Sequence, residues 1–280
     1  MTDIAVLATD AVEKGFNPLI KKLNDRIPGQ TFRLPSMGLM YTNGEIDSDV
    51  KNGEILIKPM TTLDDIYMKT PDMIFQGTAI ESVIRRCVPE ILKPLELFSH
   101  DVDFILICLK KVSSGDSTTI KHTCTECKHK QEYDIPLHYF IQNSKSFNPE
   151  TLKELKLELS NGFIVEIQPS RIGDMLALMQ INEEIVGNDP IKINELLAKN
   201  LCSNIKKVDD IEDRNMIEEW AKSLPASIIQ EFIDKIELAN SWGTNFEYEL
   251  ICGNGEEGVG CGAKQHITSS INPLFFFIQR

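Results

Sequence analysis

The spacing of apolar residues along the chain switches between helical and strand-like several times, and each switch marks a change of element. Residues 1–30 read as helix: Asn17-Pro18 sets a capping residue before a proline at the first helical position, Leu19, Ile20 and Leu23 share a face, and Pro28-Gly29 stops it. Thr31 to Met60 is irregular to β, with turns at Asn43-Gly44 and Asn52-Gly53 and a short strand at Glu54–Lys58. From Thr62 to Val112 the period is helical in pieces. Thr78 and Glu81 fit a capping box ahead of the stripe Ile80, Val83, Ile84 and Cys87. Ser99 or Asp101 would cap the following helix, whose buried side is Phe104, Ile105, Cys108 and Leu109.

Strand-like alternation begins after Gly115-Asp116. Ser117–Thr123 and Gln131–Ile135 flank a cysteine pair, and the clearest hairpin signal follows: Leu155, Leu157 and Leu159 alternate with polar residues, Asn161-Gly162 turns, and Phe163, Val165 and Ile167 alternate on the way back. Residues 170–240 predict four helices, Ile172–Val186, Ile191–Lys207, Ile211–Ser223 and Ala226–Ala239, punctuated by Pro190, the acidic stretch Asp209–Asp213 and Pro225. Strand character returns at Phe246–Ile251 and at Lys264–Thr268, on either side of a glycine-rich loop. No internal repeat or low-complexity tract stands out.

Composition narrows the class. The 280 residues suffice for one large domain or two modest ones, and 42% hydrophobic content supports a packed core. A formal charge of −13 argues against a protein that coats nucleic acid, because phosphate neutralisation needs a basic face. No apolar run approaches the ~20 residues that span a bilayer. Met1 to Asp10 show neither the positive charge nor the apolar stretch of a secretory signal. Seven cysteines are an odd number in a chain this long, which points to a reducing cytoplasm rather than a disulfide framework.

Four of those cysteines carry the candidate chemistry. Cys124-Thr-Glu-Cys127 is one half of a metal knuckle, and Cys252 with Cys261, eight residues between them, is the other. Zinc takes four thiolates at tetrahedral positions, and tight turns between strands supply them in pairs. Glycines after Cys252 and Cys261 let the backbone turn around an ion. The pairs stand 124 residues apart, which is tolerable because loop closure grows only by ~0.6 kcal/mol per doubling of length. Lys121, Lys128, Lys130 and Lys264 lie near enough in sequence to offset the charge of a four-thiolate centre. Two alternatives stay open: a bare pair without metal, or a site in which His122, His129 or His266 replaces a cysteine. A redox role is disfavoured because Cys124-x-x-Cys127 sits in polar turn sequence, and Lys128 stands where haem attachment requires histidine. Cys87, Cys108 and Cys202 fall on apolar helical faces and read as core thiols.

Other motif matches carry no chemistry. Gly253-x-Gly255-x-x-Gly258 fits a dinucleotide-loop string, yet it holds two acids and opens no helix. Ser113–Thr119 lacks the lysine of a phosphate loop. Asp64-Asp65 and Glu183-Glu184 read as solvated helix faces rather than an acid/base pair. No catalytic residue is assigned. Leu274-Phe-Phe-Phe-Ile278, near the end of the chain, reads as a last strand closing on the core, or as a tail that docks on a partner.

The order of segments resembles a family of baseplate proteins from contractile-tailed bacteriophages of the T-even type. The resemblance lies in Leu34-Pro-Ser-Met-Gly-Leu-Met-Tyr41, Gly44-Glu45, Gly53–Thr61, Gly77–Cys87, Asp101–Lys110 and Ser113-Ser-Gly115, followed by Cys-x-x-Cys. It covers about residues 17–140; the aromatic usual beside the Ser-Gly turn is replaced by Ser114 and Asp116. The resemblance implies a non-enzymatic structural component of the baseplate hub or wedge, in the virion tail after assembly in the host cytoplasm. Its partners would be other tail proteins, with no nucleic acid, membrane or small-molecule substrate. A transient hub-assembly chaperone absent from the virion and a nucleic-acid-binding zinc-ribbon regulator are the alternatives.

The expected fold is α+β: mostly helical, with a split zinc-ribbon-like β module stabilised by Zn2+ and a helical insertion. Residues 1–116 would be the mainly helical part, 117–169 the first half of the module with its hairpin, 170–242 the insertion, and 243–280 the second half with the apolar tail. The absence of a Gly/Ser/Pro-rich linker predicts that these parts pack as one body.

Overall fold

A computed structural model describes Leu19 and residues 27–184, 190–255 and 258–267. The expected helix over residues 1–30 therefore lies outside the described residues except at Leu19, which is helical, and at 27–30, where the chain runs into a strand. The apolar segment 274–278 also lies outside them.

Strand β1 (Gln30–Arg33) pairs antiparallel with β2 (Glu54–Ile57), in register from Gln30↔Ile57 to Arg33↔Glu54, and Ile55 and Ile57 alternate into the core. Gly53 leads into β2 with φ 69°, and a Cβ there would stand 2.6 Å from the carbonyl carbon of Met37. Both the backbone conformation and the close approach require glycine.

Helix α1 (Thr62–Met68) follows, then α2 (Pro71–Phe75), α3 (Thr78–Cys87) and α4 (Ser99–Ser114). The capping box expected at Thr78 and Glu81 instead forms at α1. Asp64 Oδ2 accepts from the Thr61 N–H at 2.8 Å, and Thr61 Oγ1 accepts from the Asp64 N–H at 3.3 Å. Helix α3 starts from left-handed Gly77, so Thr78 donates to the Met73 carbonyl and Glu81 pairs with Arg85. Asp64 is consequently no solvated residue: it is buried and receives Arg86 Nε at 2.6 Å, while Asp65 pairs with Lys69 at the surface. The stripe Ile80, Val83, Ile84 and Cys87 is buried as its spacing requires.

Helix α4 buries Val102 and the whole run from Phe104 through Leu109, and forms the centre of the first core. Neither Ser99 nor Asp101 caps it; Phe98 holds the N-cap position, and the Asp101 carboxylate turns inward. There it accepts from the Ser36 N–H at 3.0 Å and from the Tyr41 hydroxyl at 2.7 Å.

Strands β3 (Ser117–Thr123) and β4 (Lys130–Pro136) form an antiparallel hairpin whose Ile120, Tyr133 and Ile135 join this core. Helices α5 (Leu137–Gln142) and α6 (Thr151–Glu154) follow, then the expected second hairpin, β5 (Lys156–Glu158) and β6 (Ile164–Ile167). Helix α7 (Ile172–Glu184) and helix α8 (Pro190–Ser203) come next.

The stretch expected to continue as helix to Lys207 leaves α8 at Ser203 and becomes strand β7 (Ile205–Val208), which pairs with β6. The sheet order β5–β6–β7 thus places the second hairpin with the helical stretch rather than against β3–β4. Ile205 and Val208 fit a helical face three apart, but both are buried against Val165 and Ile167 on the inner side of this sheet. Helices α9 (Arg214–Lys222) and α10 (Ala226–Ala239) cover it and complete a second core around Phe232. Strands β8 (Tyr248–Ile251) and β9 (Lys264–Ile267) close the described chain, with Leu250 and Ile267 in the first core.

The two cores meet at Phe98. Its ring stacks on Tyr41 at 4.8 Å and meets Trp242 edge-on at 6.3 Å, and the Arg171 guanidinium lies 5.5 Å from its centroid. Arg171 also pairs with buried Glu45 and with Glu96, both at 3.2 Å. The architecture is α+β, and among the described residues no helix is long and apolar enough to cross a membrane.

Candidate metal centre

The ends of β3–β4 and of β8–β9 repeat one local geometry. In the first, the Cys124 N–H donates to the His129 carbonyl at 2.8 Å, and the Lys128 N–H donates back to the Cys124 carbonyl at 3.1 Å. In the second, the Cys252 N–H donates to the Ala263 carbonyl at 2.9 Å, and the Gly262 N–H donates back to the Cys252 carbonyl at 3.0 Å. The residue after the second cysteine is left-handed in both, Lys128 at φ 61° and Gly262 at φ 71°.

The wide spacing of the second pair is thereby explained. The extra residues leave the turn as a loop held close by glycines: a Cβ at Gly253 would fall 1.3 Å from the Val259 carbonyl oxygen, and one at Gly260 would fall 2.6 Å from Cys252 Sγ. Of the string Gly253-x-Gly255-x-x-Gly258, Gly253 makes the close approach, and Cys252–Gly255 is a short 3-10 turn rather than the start of a phosphate-binding helix.

These matched turns bring all four sulfurs to one point. Cys124 Sγ lies 3.7 Å from Cys261 Sγ, Cys127 Sγ lies 3.6 Å from Cys252 Sγ, and the four ligand atoms all fall within 4.8 Å of one another. Zinc–sulfur bonds of about 2.3 Å in a tetrahedron set sulfurs about 3.8 Å apart, so the donor set fits such an ion in number, type and separation. No disulfide joins any of the four.

The local field fits a cation as well. Cys124 is drawn down to about 6, first by the N–H of Cys127 and then by that of Glu126. The N–H of Cys261 pulls Cys252 the same way, but desolvation and the neighbouring thiols push it up to about 12. Four thiols in so small a volume resist joint ionisation until a positive ion enters. Three of the four lysines expected to offset the charge are engaged elsewhere: Lys121 with Glu132 at 3.5 Å, Lys264 with Glu249 at 2.9 Å, and Lys128 with the Thr125 carbonyl. Backbone N–H groups supply the compensation instead.

No histidine substitutes for a cysteine in the cluster. His122 Nε2 lies 2.5 Å from Gln265 Oε1, His129 offers its carbonyl to the turn, and His266 faces Glu249. Cys87, Cys108 and Cys202 are buried apart from the cluster, and burial raises all three thiols, Cys87 to about 12 and Cys202 to about 11.

Sequence reasoning passed over the residues that join the two hairpins. Gln265 Nε2 donates to Cys124 Sγ at 2.9 Å and to Thr125 Oγ1 at 3.0 Å, while Gln131 Oε1 accepts from the Gly253 N–H at 2.9 Å. Both glutamines belong to the pattern Cys-x-x-Lys-Gln, found at Cys127–Gln131 and again at Cys261–Gln265. This short internal repeat is meaningful only once the equivalence of the two turns is seen.

Among the described residues, the four cysteines form the group of His, Cys, Asp and Glu side chains close enough to hold a metal ion. No curated protein and no solved structure matches the chain. A family model described as T4 bacteriophage base plate protein does match it, over residues 45–269. That span takes in both halves of the cysteine cluster and most of both cores and amounts to well over half of the sequence, so the chain belongs to the T4 base plate protein family.

Proposed function

We propose that the protein is a structural component of the hub or wedge region of a contractile-tail baseplate, acting through contacts with other tail proteins. Membership of the base plate family carries this reading and favours a non-enzymatic role. In it, Cys124, Cys127, Cys252 and Cys261 hold one Zn2+ that clasps β3–β4 to β8–β9. A site closed by four protein ligands leaves no open position for substrate, so the ion would supply cohesion rather than catalysis.

The test has two parts. Native mass spectrometry of the full chain, purified without chelator, is expected to show one zinc per chain; a folded, metal-free protein would overturn the zinc assignment. Peptide mass spectrometry of purified virions is expected to find the protein at a fixed ratio to other tail proteins. Finding it in infected cells but absent from virions would replace the structural role with that of an assembly chaperone.

A further inference from the structure

We propose that Gln131 and Gln265 are positioning residues that preorganise the metal centre, each reaching from one hairpin to the turn of the other. The proposal rests on the four-cysteine zinc reading. The two glutamines occupy equivalent places, four residues after the second cysteine of each turn. Each ends at the residue that follows the first cysteine of the opposite turn: Gln265 at Thr125, with a second bond to Cys124 Sγ, and Gln131 at the Gly253 N–H. The clasp is therefore an exchange of polar arms related by an approximate twofold.

The arms are chemically opposite. Gln265 works as a donor, and the contact of its Oε1 with His122 Nε2 orients the amide so that nitrogen faces the sulfur. An N–H donated to a coordinating thiolate lowers the charge the centre must carry and fixes the sulfur's direction. Gln131 works as an acceptor; its oxygen holds the Gly253 N–H, and with it the glycine loop that lets Cys252 and Cys261 approach. Replacement by glutamate then separates the two roles, because a carboxylate accepts but does not donate.

Zinc affinity of the full chain would be measured by competition with a chromophoric chelator, and cobalt substitution would report the ligand set through its thiolate charge-transfer and d–d bands. Gln265→Leu and Gln131→Leu are each expected to weaken zinc binding by about 10–100-fold, the usual effect of removing an outer partner. Gln265→Glu is expected to weaken it at least as much as Gln265→Leu, whereas Gln131→Glu stays near wild type. The cobalt spectrum should remain that of four sulfurs throughout.

Wild-type affinity in both leucine variants would overturn the proposal while leaving the zinc site standing. Equal responses of the two positions to glutamate would also overturn it, since a merely structural role predicts no such asymmetry. Wild-type protein that binds no zinc would instead overturn the underlying reading. Far-UV circular dichroism identifies any leucine variant that fails to fold, and the contrast between the two glutamate variants then carries the test.

Discussion

Asp101→Asn isolates the electrostatics of the junction between the two cores. The carboxyl is fully buried, and desolvation raises it from its ordinary value of 3.8 to about 6, against the opposing pull of its bonds from Ser36 and Tyr41. In the folded chain it keeps its proton to about pH 6; in the unfolded chain it loses that proton near pH 4. Between those values the folded state binds more protons, so wild-type stability falls as pH rises through the window. A carboxyl at about 6 against 3.8 corresponds to about 3 kcal/mol. The asparagine variant lacks this dependence. The assay is urea unfolding of both proteins at intervals from about pH 4 to about pH 7, read as the stability of the variant minus that of wild type. Other titrating groups are shared and cancel in the difference. Over this window the difference is expected to climb by about 2–3 kcal/mol in favour of the variant as pH rises. A flat difference would show that the carboxyl is not desolvated. A falling one would show that the Ser36 and Tyr41 bonds outweigh burial and hold the carboxylate ionised.

Two further perturbations probe the same region. Burial lowers His100 from 6.5 to about 4, so the folded state keeps it neutral and wild-type stability is lost as pH falls through about 6.5 towards about 4. His100→Phe preserves a ring against Trp242, stacked there at 4.8 Å, and is expected to remove about 3 kcal/mol of that acid sensitivity, measured by the same urea series. Gly53→Ala forces a side chain onto the Met37 backbone at φ 69° and is expected to destabilise the fold by about 1–3 kcal/mol, read from the urea midpoint at neutral pH; an unchanged midpoint would show that the 34–53 loop relaxes freely.

What the sequence revealed divides by the range of the interaction. Helix α10 runs from Ala226 to Ala239 as its periodicity requires, and the alternation of Leu155, Leu157 and Leu159 placed the β5–β6 hairpin, because both signals are local. The four cysteines were legible as two pairs for the same reason, since thiols in turns between strands are few in kind. Strand β7 was not legible: Ile205-Lys-Lys-Val208 fits one helical turn as well as a short strand, and only the edge offered by β6 decides between them. Asp101 looked like a helix cap because its partners, Ser36 and Tyr41, lie 65 and 60 residues away. Gln131 and Gln265 carried no signal of their own, for a glutamine in a polar strand is unremarkable until the opposite turn is known.

The separation of the cysteine pairs in sequence has a structural resolution. The intervening segment touches the first core through Ile172 and Leu176 of α7, and its two ends meet where Lys145 and Gly243 exchange both backbone hydrogen bonds at 2.8 Å. Phe147 then anchors the outgoing segment through its N–H to the Pro35 carbonyl, and Trp242 packs on Phe98 and Phe147 at the return. The Lys145–Gly243 pair is thus a stalk that joins the two ends of the intervening segment. Once that pair has formed, bringing Cys252 and Cys261 to Cys124 and Cys127 closes two short segments, from Cys127 to Lys145 and from Gly243 to Cys252, rather than the whole intervening chain. Loop-closure entropy rises with the logarithm of length, so the stalk removes part of the cost that the bare sequence spacing implies. The clasp and the stalk are therefore cooperative, because each shortens the loop that the other must close.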